Sequence, residues 1–349
     1  MKTRSVFAIG AIAVSAAAPA ATLSELASKV ETSGWVSASY VHSFIDEDLA
    51  TTRATDIVSD SFQLNQAVLN LGTAAGDGFG GFVSIMLGED ADRIVNGSYG
   101  EGSGDKFGLA QAYISYVSGA WTLMAGRYST LAGYEVVSDA ENPLLSRSLQ
   151  FPAAEPYYHT GIRAAFAASD STTLYLGLAN SAVGGFANDT NDQKTVEAGV
   201  SFAFSDSFSL GLYDYYGIEN DLGEVNYFDA VATFAASDKL SFALNFDWYS
   251  DDFGDIYGIA GYGSYSFSDR WATTIRLESL ERDFGGGPKH RINAATIDFA
   301  FTPAPEFRLL LEARVDDADE DLFLDDARTG KLTSAQPTVG IKAIYSFGL

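Results

Sequence analysis

Apolar and polar residues alternate along most of this chain of 349 residues, and the alternation constrains its fold more than any other feature. In SFALNFDWY, residues 241–249, every second side chain is apolar, and the residues between them include Asn245 and Asp247. Residues 271–279 and 307–315 follow the same pattern. Because successive side chains point to opposite faces of a β-strand, these segments predict strands with one apolar and one polar face.

The motif FAASD recurs between the alternating segments. It occurs at residues 166–170 and 234–238, and the related FAFSD and YSFSD occur at 202–206 and 265–269. The serines of these copies are 31 to 36 residues apart. Two strands of about 10 residues, one tight turn and one longer loop have this combined length. Because Ser and Asp side chains bind nearby backbone groups in tight turns, the motif predicts a series of antiparallel hairpins.

Short turns and long loops alternate along the chain, which predicts a closed barrel. The segments TAAGDG at 73–78, VSGA at 117–120 and FTPAPE at 301–306 bring the short turns to seven. We place the long loops at 44–60, 89–106, 129–158, 181–193, 218–224, 250–256, 282–290 and 317–334. The predicted fold class is all-β, a transmembrane antiparallel β-barrel of about 16 strands with short periplasmic turns and long extracellular loops.

A soluble β-sandwich would show the same alternation, with its apolar faces buried between two sheets. Two features favour the barrel. The polar faces carry charged residues such as Arg276, Glu278 and Lys342, which suit a water-filled lumen better than a closed core. The regular alternation of long and short connections also differs from the crossing connections of a Greek-key sandwich.

The charge balance argues against a nucleic-acid partner, and the absence of Cys excludes cysteine-based sites. With 21 Lys and Arg against 46 Asp and Glu, the formal net charge is −25. Nucleic-acid binding needs clustered basic residues, so no nucleic-acid partner is expected. The chain has no Cys, which excludes disulfides and thiolate metal sites.

The N-terminal residues predict an export signal. Lys2 and Arg4 precede an apolar stretch, and the sequence APA at 18–20 fits the small-residue rule for cleavage. The apolar stretch is shorter than the ~20 residues of a membrane-spanning helix. We therefore expect a signal peptide at 1–20, a periplasmic N-terminal segment with a short helix at 21–34, and the barrel at 35–349.

The longest connection, Ser129–Tyr158, predicts where the lumen narrows. Unstructured loops beyond ~15 residues are uncommon and usually functional. A barrel of about 16 strands is wide enough for an aqueous channel. We therefore expect this third long loop to fold into the lumen and constrict it.

Two stretches around this loop resemble the β-barrel porins of Gram-negative bacteria. They are AYISYVSGAWTLMAGRYSTLAGYE at 112–135 and NPLLSRSLQFPAAEPYYHTGIRAAF at 142–166. The resemblance rests on AGRY at a strand end, followed by GYE, SRS, a proline-rich stretch and HTG. One departure is the C-terminus, where this chain ends in Leu349 with Phe347 two residues earlier, whereas barrels of this kind often end in Phe.

The resemblance implies an outer-membrane porin, a water-filled channel for passive diffusion of ions and small hydrophilic solutes. It also implies contact with outer-membrane lipid and lipopolysaccharide, insertion by the barrel-assembly machinery, and a homotrimer as one assembly. No catalytic residue, cofactor or metal is expected of such a protein. The alternatives are a substrate-selective outer-membrane channel, a non-conducting structural or adhesive barrel, and an outer-membrane hydrolase.

Charged residues from the third long loop and from the polar faces of strands are predicted to form the constriction. They are Asp139, Glu141, Arg147 and Glu155 on the loop, and Arg163, Arg276, Arg308, Arg314 and Lys342 on strands. Acids that oppose bases orient polar solutes, and an acidic excess favours cations. We expect the bases of the last strands to face the loop across the pore. The alternative for the acids is that most of them only solvate the outer loops.

Two further features leave alternatives open. His42, His159 and His290 are isolated in sequence, but a Ser–His–acid triad is recognised by geometry, so the hydrolase stays an alternative. The acidic run DDADED at 316–321 offers the oxygen ligands that divalent cations prefer. It lacks the Gly-containing spacing of an EF-hand loop, which favours a solvated charged loop.

Overall fold

Sixteen antiparallel strands close into a barrel in the computed structural model. The structure describes residues 30–46, 49, 52–73, 76–96, 104–183, 191–285 and 287–348. The first strand, β1 (Val30–Ser43), pairs both with the next strand, β2 (Ser61–Thr73), and with the last, β18 (Ala335–Gly348). The closed order of strands confirms the predicted fold class.

The other barrel strands follow one another around the wall in chain order. They are β3 (Gly78–Leu87), β4 (Phe107–Ser118), β5 (Trp121–Ser129), β6 (Tyr158–Ser169), β7 (Thr172–Ala179), β8 (Thr195–Ser205), β9 (Phe208–Glu219), β10 (Gly223–Ala235), β11 (Leu240–Asp251), β12 (Gly254–Ser268), β13 (Trp271–Phe284), β14 (His290–Ala304) and β15 (Phe307–Ala318). Two short strands, β16 (Phe323–Asp326) and β17 (Lys331–Thr333), form a separate hairpin in the last long loop.

Helical structure is sparse. The described residues include a short π-helix at Ala91–Val95 and the single turn α1 (Gln150–Ala153). No helix in the described ranges is long and apolar enough to cross a membrane.

The FAASD motif and its relatives close the hairpins from β6–β7 to β12–β13, as predicted. Their serines stabilise the turns, for example where the Ser171 N–H donates to Ser169 Oγ at 3.3 Å. At the other end of the barrel, three loops are shorter than expected because ladder pairs such as Gly223 with Glu219 extend the strands. The loops predicted at 218–224, 250–256 and 282–290 span only 220–222, 252–253 and 285–289.

The barrel is apolar outside and polar inside. On β13, Ile275 and Leu277 are 45% and 62% exposed, whereas Arg276 between them is fully buried. On β11, Asn245 and Asp247 are fully buried in the same way. In a membrane barrel the apolar face meets lipid and the polar face lines the lumen. The alternation in the sequence therefore places the charged strand residues inside the barrel.

The N-terminal boundary of the barrel differs from the expected residue 35. β1 begins at Val30, which pairs with Thr73 of β2, so the hydrogen-bonded ladder extends into the segment 21–34. The expected signal peptide at 1–20 and Leu349 lie outside the described residues, as does the beginning of that segment.

Candidate functional site

The connection between β5 and β6, residues 130–157, forms loop L3 and folds into the lumen. Its middle part is buried, since Leu144, Leu145 and Arg147 are each 1% exposed. Phe151 of α1, in the returning half of the loop, is also 1% exposed. A loop of this length is buried inside the barrel only if its polar groups find partners on the strands.

Asp139 of L3 is bound by two cations. Its Oδ1 lies 2.9 Å from a guanidinium nitrogen of Arg147 and 3.0 Å from Nζ of Lys342 on β18. The hydroxyl of Ser37 on β1 donates to Oδ2 at 2.6 Å. Burial alone would raise the pKa of Asp139, but Lys342 and Arg147 hold it below its usual value. The loop is therefore charge-paired to the seam between β1 and β18.

Arg276 of β13 is a second anchor for L3. One of its terminal nitrogens lies 2.6 Å from Glu135 of the loop, and Nε lies 2.8 Å from Glu278 on the same strand. The guanidinium also donates to the carbonyl oxygen and the hydroxyl of Ser146, both at 3.1 Å. The guanidinium and both carboxylates are almost fully removed from water, so breaking the pair would leave a buried, uncompensated charge.

Two further strand bases bind the backbone of L3. Arg308 of β15 donates to the carbonyl oxygens of Asp139 and Asn142, each at 2.8 Å. Arg314 of the same strand donates to the carbonyl oxygen of Arg147 at 2.5 Å. We call the inner surface formed by Arg276, Arg308, Arg314 and Lys342 the basic wall. These bases contact L3 directly, whereas the sequence suggested that they face it across the pore.

Strand acids complete the attachment of L3 to the basic wall. Glu312 accepts a hydrogen bond from the Ser146 N–H at 3.0 Å, and Glu278 accepts one from the Leu149 N–H at 2.5 Å. Glu278, Glu312 and the loop residue Glu135 were not among the predicted site residues. Glu278 and Glu312 could have been predicted, because the alternation places them on the same polar strand faces as Arg276 and Arg314.

Another part of L3 packs against Asp229 of β10 and Asp247 of β11. We call these two carboxyl groups the acidic wall. Both residues are fully buried, and the neighbouring Glu155 of L3 is 6% exposed. One carboxyl oxygen of each of these three residues accepts no hydrogen bond in the described structure. The Tyr134 N–H of L3 also binds this region, donating to Asn245 Oδ1 at 2.6 Å.

Neutral groups bind the remaining oxygens of the acidic wall. The Tyr227 hydroxyl donates to Asp247 at 2.8 Å, and the amide of Asn245 donates to Asp229 at 2.7 Å. Burial, together with the negative charges of Asp229 and Glu135, raises the pKa of Glu155 well above its usual value. A carboxyl group in this setting takes up either a proton or a cation.

Two predicted residues lie away from both walls. Arg163 of β6 donates to Glu197 of β8 at 2.7 Å, and its guanidinium lies 4.3 Å from the ring centroid of Tyr128. Glu141 is an exposed acid of L3. The basic wall and its loop partners bring together Asp139, Arg147, Arg276, Arg308, Arg314 and Lys342, and Glu155 lies at the acidic wall.

The described residues include no group of three or more His, Asp or Glu side chains arranged to hold a metal ion. Within the acidic run 316–321, Asp316 is buried and paired with Arg53 and Arg314. The first carboxylate of the run therefore belongs to β15 and is buried inside the barrel. The run is not a uniformly solvated loop.

The histidines have structural contacts. His159 stacks on Tyr215 with ring centroids 4.5 Å apart, and its Nδ1 lies 3.1 Å from the carbonyl oxygen of Ser181. His42 and His290 each pair with an acid. In the part of the chain that the structure describes, none of the three has a serine hydroxyl as its hydrogen-bond partner, the contact that a Ser–His–acid hydrolase requires.

Comparison with known proteins gives the family. The family model described as "Putative beta-barrel porin-2, OmpL-like" matches residues 29–347, nearly the whole described chain. The chain belongs to this porin family. The comparison of the porin with curated proteins gives no match. The family confirms the resemblance inferred from residues 112–135 and 142–166.

Solved structures similar to the porin share its fold. They include the trimer form of OmpT of Vibrio cholerae, with 11% identity, 91% of this chain and 99% of that chain covered, and a TM-score of 0.63. An anion-selective porin from Comamonas acidovorans has 10% identity, coverages of 91% and 99%, and a TM-score of 0.64. The outer membrane channel DcaP of Acinetobacter baumannii has 14% identity, coverages of 91% and 97%, and a TM-score of 0.61. The porin is an outer-membrane channel protein.

Proposed function

We propose that this porin passes ions and small hydrophilic solutes by passive diffusion through a lumen that L3 constricts. The observation that carries the proposal is the attachment of L3 to the basic wall, since Glu135 and Asp139 pair with Arg276 and Lys342 inside the barrel. We expect a loop held in this way to leave a fixed opening beside it. Diffusion through such an opening needs no catalytic residue, and we propose none.

Cation preference is the second part of the proposal. The charges of the basic wall are bound by loop acids and carbonyl groups, whereas Asp229, Asp247 and Glu155 retain unused oxygens. Glu141 adds an exposed acid on L3. Burial raises the pKa of Glu155, so the exposed charge of Glu141 is the one that raises the local concentration of cations and favours their passage.

Planar-bilayer recording of the purified porin tests this function. We expect stepwise ion conductance and, across a KCl gradient, a reversal potential with the sign of cation preference. A protein that inserts but gives no conductance steps would support the non-conducting structural barrel instead. Saturation of the current by one solute would support the substrate-selective alternative.

A homotrimer is the proposed assembly, supported by the trimer form of the similar OmpT structure. The mass of the porin in detergent, corrected for bound detergent, should equal three chains. A single-chain mass in mild detergent would contradict the trimer without affecting the channel function.

A further inference from the structure

A small chamber lies inside the barrel between L3 and strands β1 to β4. Its volume is about 260 Å³, and it is lined by both ends of L3 and by strand residues that include Trp35, Asn70 and Phe82. The chamber is smaller than the ~300–1,000 Å³ pockets that hold drug-sized ligands, so it suits a small solute.

The charged side chains of this chamber are all acidic. Glu135, Glu141 and Glu155 line it, and its described lining contains no Lys, Arg or His. Glu135 is neutralised by Arg276, 2.6 Å away. Glu141 is exposed and makes no ion pair with a described residue. Glu141 and Glu155 are therefore the carboxyl groups available to a solute.

Two oxygen atoms of the chamber have unused hydrogen-bonding capacity. Only 6% of Glu155 is exposed, and its Oε1 accepts no hydrogen bond from a described N–H or O–H donor. The buried amide Oδ1 of Asn70 accepts none either. The Glu155 carboxyl also lies within hydrogen-bonding reach of Asp247, so a proton shared by the two acids occupies this site until a cation replaces it. Because buried polar atoms are nearly always hydrogen-bonded, Asn70 Oδ1 indicates a donor that comes from outside the chain. Beside a carboxyl group, a cationic N–H donor gives the strongest bond.

Aromatic rings form much of the remaining surface. They are Trp35, Phe82, Phe151, Tyr157 and Tyr158. The indole N–H of Trp35 donates to Gln66 at 2.7 Å, which fixes the orientation of the ring. Organic cations bind to aromatic faces, and Trp gives the strongest attraction. The chamber therefore combines acceptors for a cationic head with an aromatic surface for an apolar group.

We propose that this chamber binds a small organic cation, an ammonium or guanidinium that carries an apolar group, during its passage through the channel. The cationic group binds Glu155 and Asn70, and the apolar group packs against Trp35. This inference rests on the proposed channel function. A neutral solute of the same shape lacks the charge that the acidic lining recognises.

Proton release accompanies binding of the cation. The titratable or charged groups around Glu155 are Asp229 and Tyr227 of β10, Asp247 of β11, Tyr262 of β12, and Glu135 and Arg147 of L3. Because burial and the nearby acids raise the pKa of Glu155, this carboxyl holds a proton below that pKa. A bound ammonium must displace this proton, so its affinity rises with pH until the carboxyl is ionised.

Calorimetric titration of the detergent-solubilised porin with 2-phenylethylammonium chloride tests the chamber. We expect saturable binding of this cation, stronger at about pH 8 than at about pH 6, and no saturable binding of the neutral 2-phenylethanol. Glu155→Gln should weaken binding by about tenfold or more and remove its pH dependence. Glu306→Gln, in the exposed turn between β14 and β15, is the matched control and should bind like the wild type.

Trp35→Leu is a second variant that leaves all charges in place, and it should weaken binding several-fold. Equal binding of the ammonium and the alcohol, or unchanged affinity in Glu155→Gln, would contradict the proposal that the chamber binds an organic cation. The potassium current of the same preparation is recorded in parallel. Conductance without saturable ammonium binding overturns the chamber alone, whereas absence of conductance overturns the channel function.

Discussion

L3 packs against the basic wall through ion pairs and against the acidic wall through carboxyl groups that form no ion pair in the described structure. At the basic wall, Asp139 of the loop lies 3.0 Å from Lys342, and both are almost fully buried. At the acidic wall, Glu155 lies beside Asp229 and Asp247, and one oxygen of each carboxyl group has no partner in the described structure. One wall anchors the loop through completed charge pairs, and the other gathers buried carboxyl groups that form no ion pair in the described structure.

This difference predicts that one chemical change has opposite effects at the two walls. A buried charge pair is costly to break, because the remaining partner stays desolvated. An unpaired buried carboxylate is itself costly, so its replacement by a neutral group of similar size removes a cost. Stability therefore depends mainly on the basic wall, and we assign solute and proton binding to the acidic side.

Arg276→Met should have the largest effect, because it leaves Glu135 buried without its cation and leaves Glu278 with only Arg314, 3.9 Å away. We expect the free energy of unfolding, measured in urea, to fall by about 3–5 kcal/mol. Channels that still insert should have a larger and noisier conductance, since L3 loses an anchor. Arg270→Met in the exposed turn between β12 and β13 is the control. Equal stability of the two variants would mean that Arg276 does not anchor L3.

Asp139→Asn should have the next largest effect. It removes the charge that pairs with Arg147 and Lys342, while the amide oxygen can still accept the hydroxyl of Ser37. We expect a loss of about 1.5–3 kcal/mol in the free energy of unfolding. Asp206→Asn, in the exposed turn between β8 and β9, controls for the loss of a negative charge. A loss in the control as large as in Asp139→Asn would contradict the assignment.

The alternation of the sequence predicts the strand contributions to both walls. It places Arg276, Lys342 and Asp247 on polar strand faces, and the structure shows all three buried inside the barrel. The partners of these residues could not be predicted. Glu135 and Arg276 are 141 residues apart, and L3 has no periodicity from which the orientation of its side chains follows. The length of L3 predicts that it enters the lumen, but the side against which it packs depends on contacts distant in sequence.

Asp247→Asn should stabilise the porin, in contrast to the same substitution at Asp139. The amide can accept the Tyr227 hydroxyl as the carboxylate does, and no cation loses its partner. We expect the free energy of unfolding to rise by about 1 kcal/mol. The measurement is urea unfolding of Asp247→Asn and Asp139→Asn in the same detergent. Destabilisation of both variants by similar amounts would show that the two walls do not differ.

Glu141→Gln should have the smallest effect on stability and a clear effect on permeation. The sequence grouped Glu141 with Asp139, two residues earlier, but Glu141 is exposed whereas Asp139 is buried between two cations. We expect the free energy of unfolding to stay within about 0.5 kcal/mol of the wild type. The reversal potential across a KCl gradient should shift toward zero, because an unpaired charge beside the pore is lost. Glu306→Gln, at the exposed turn between β14 and β15, should leave both quantities unchanged. If Glu141→Gln also leaves the reversal potential unchanged, Glu141 is not the source of the cation preference.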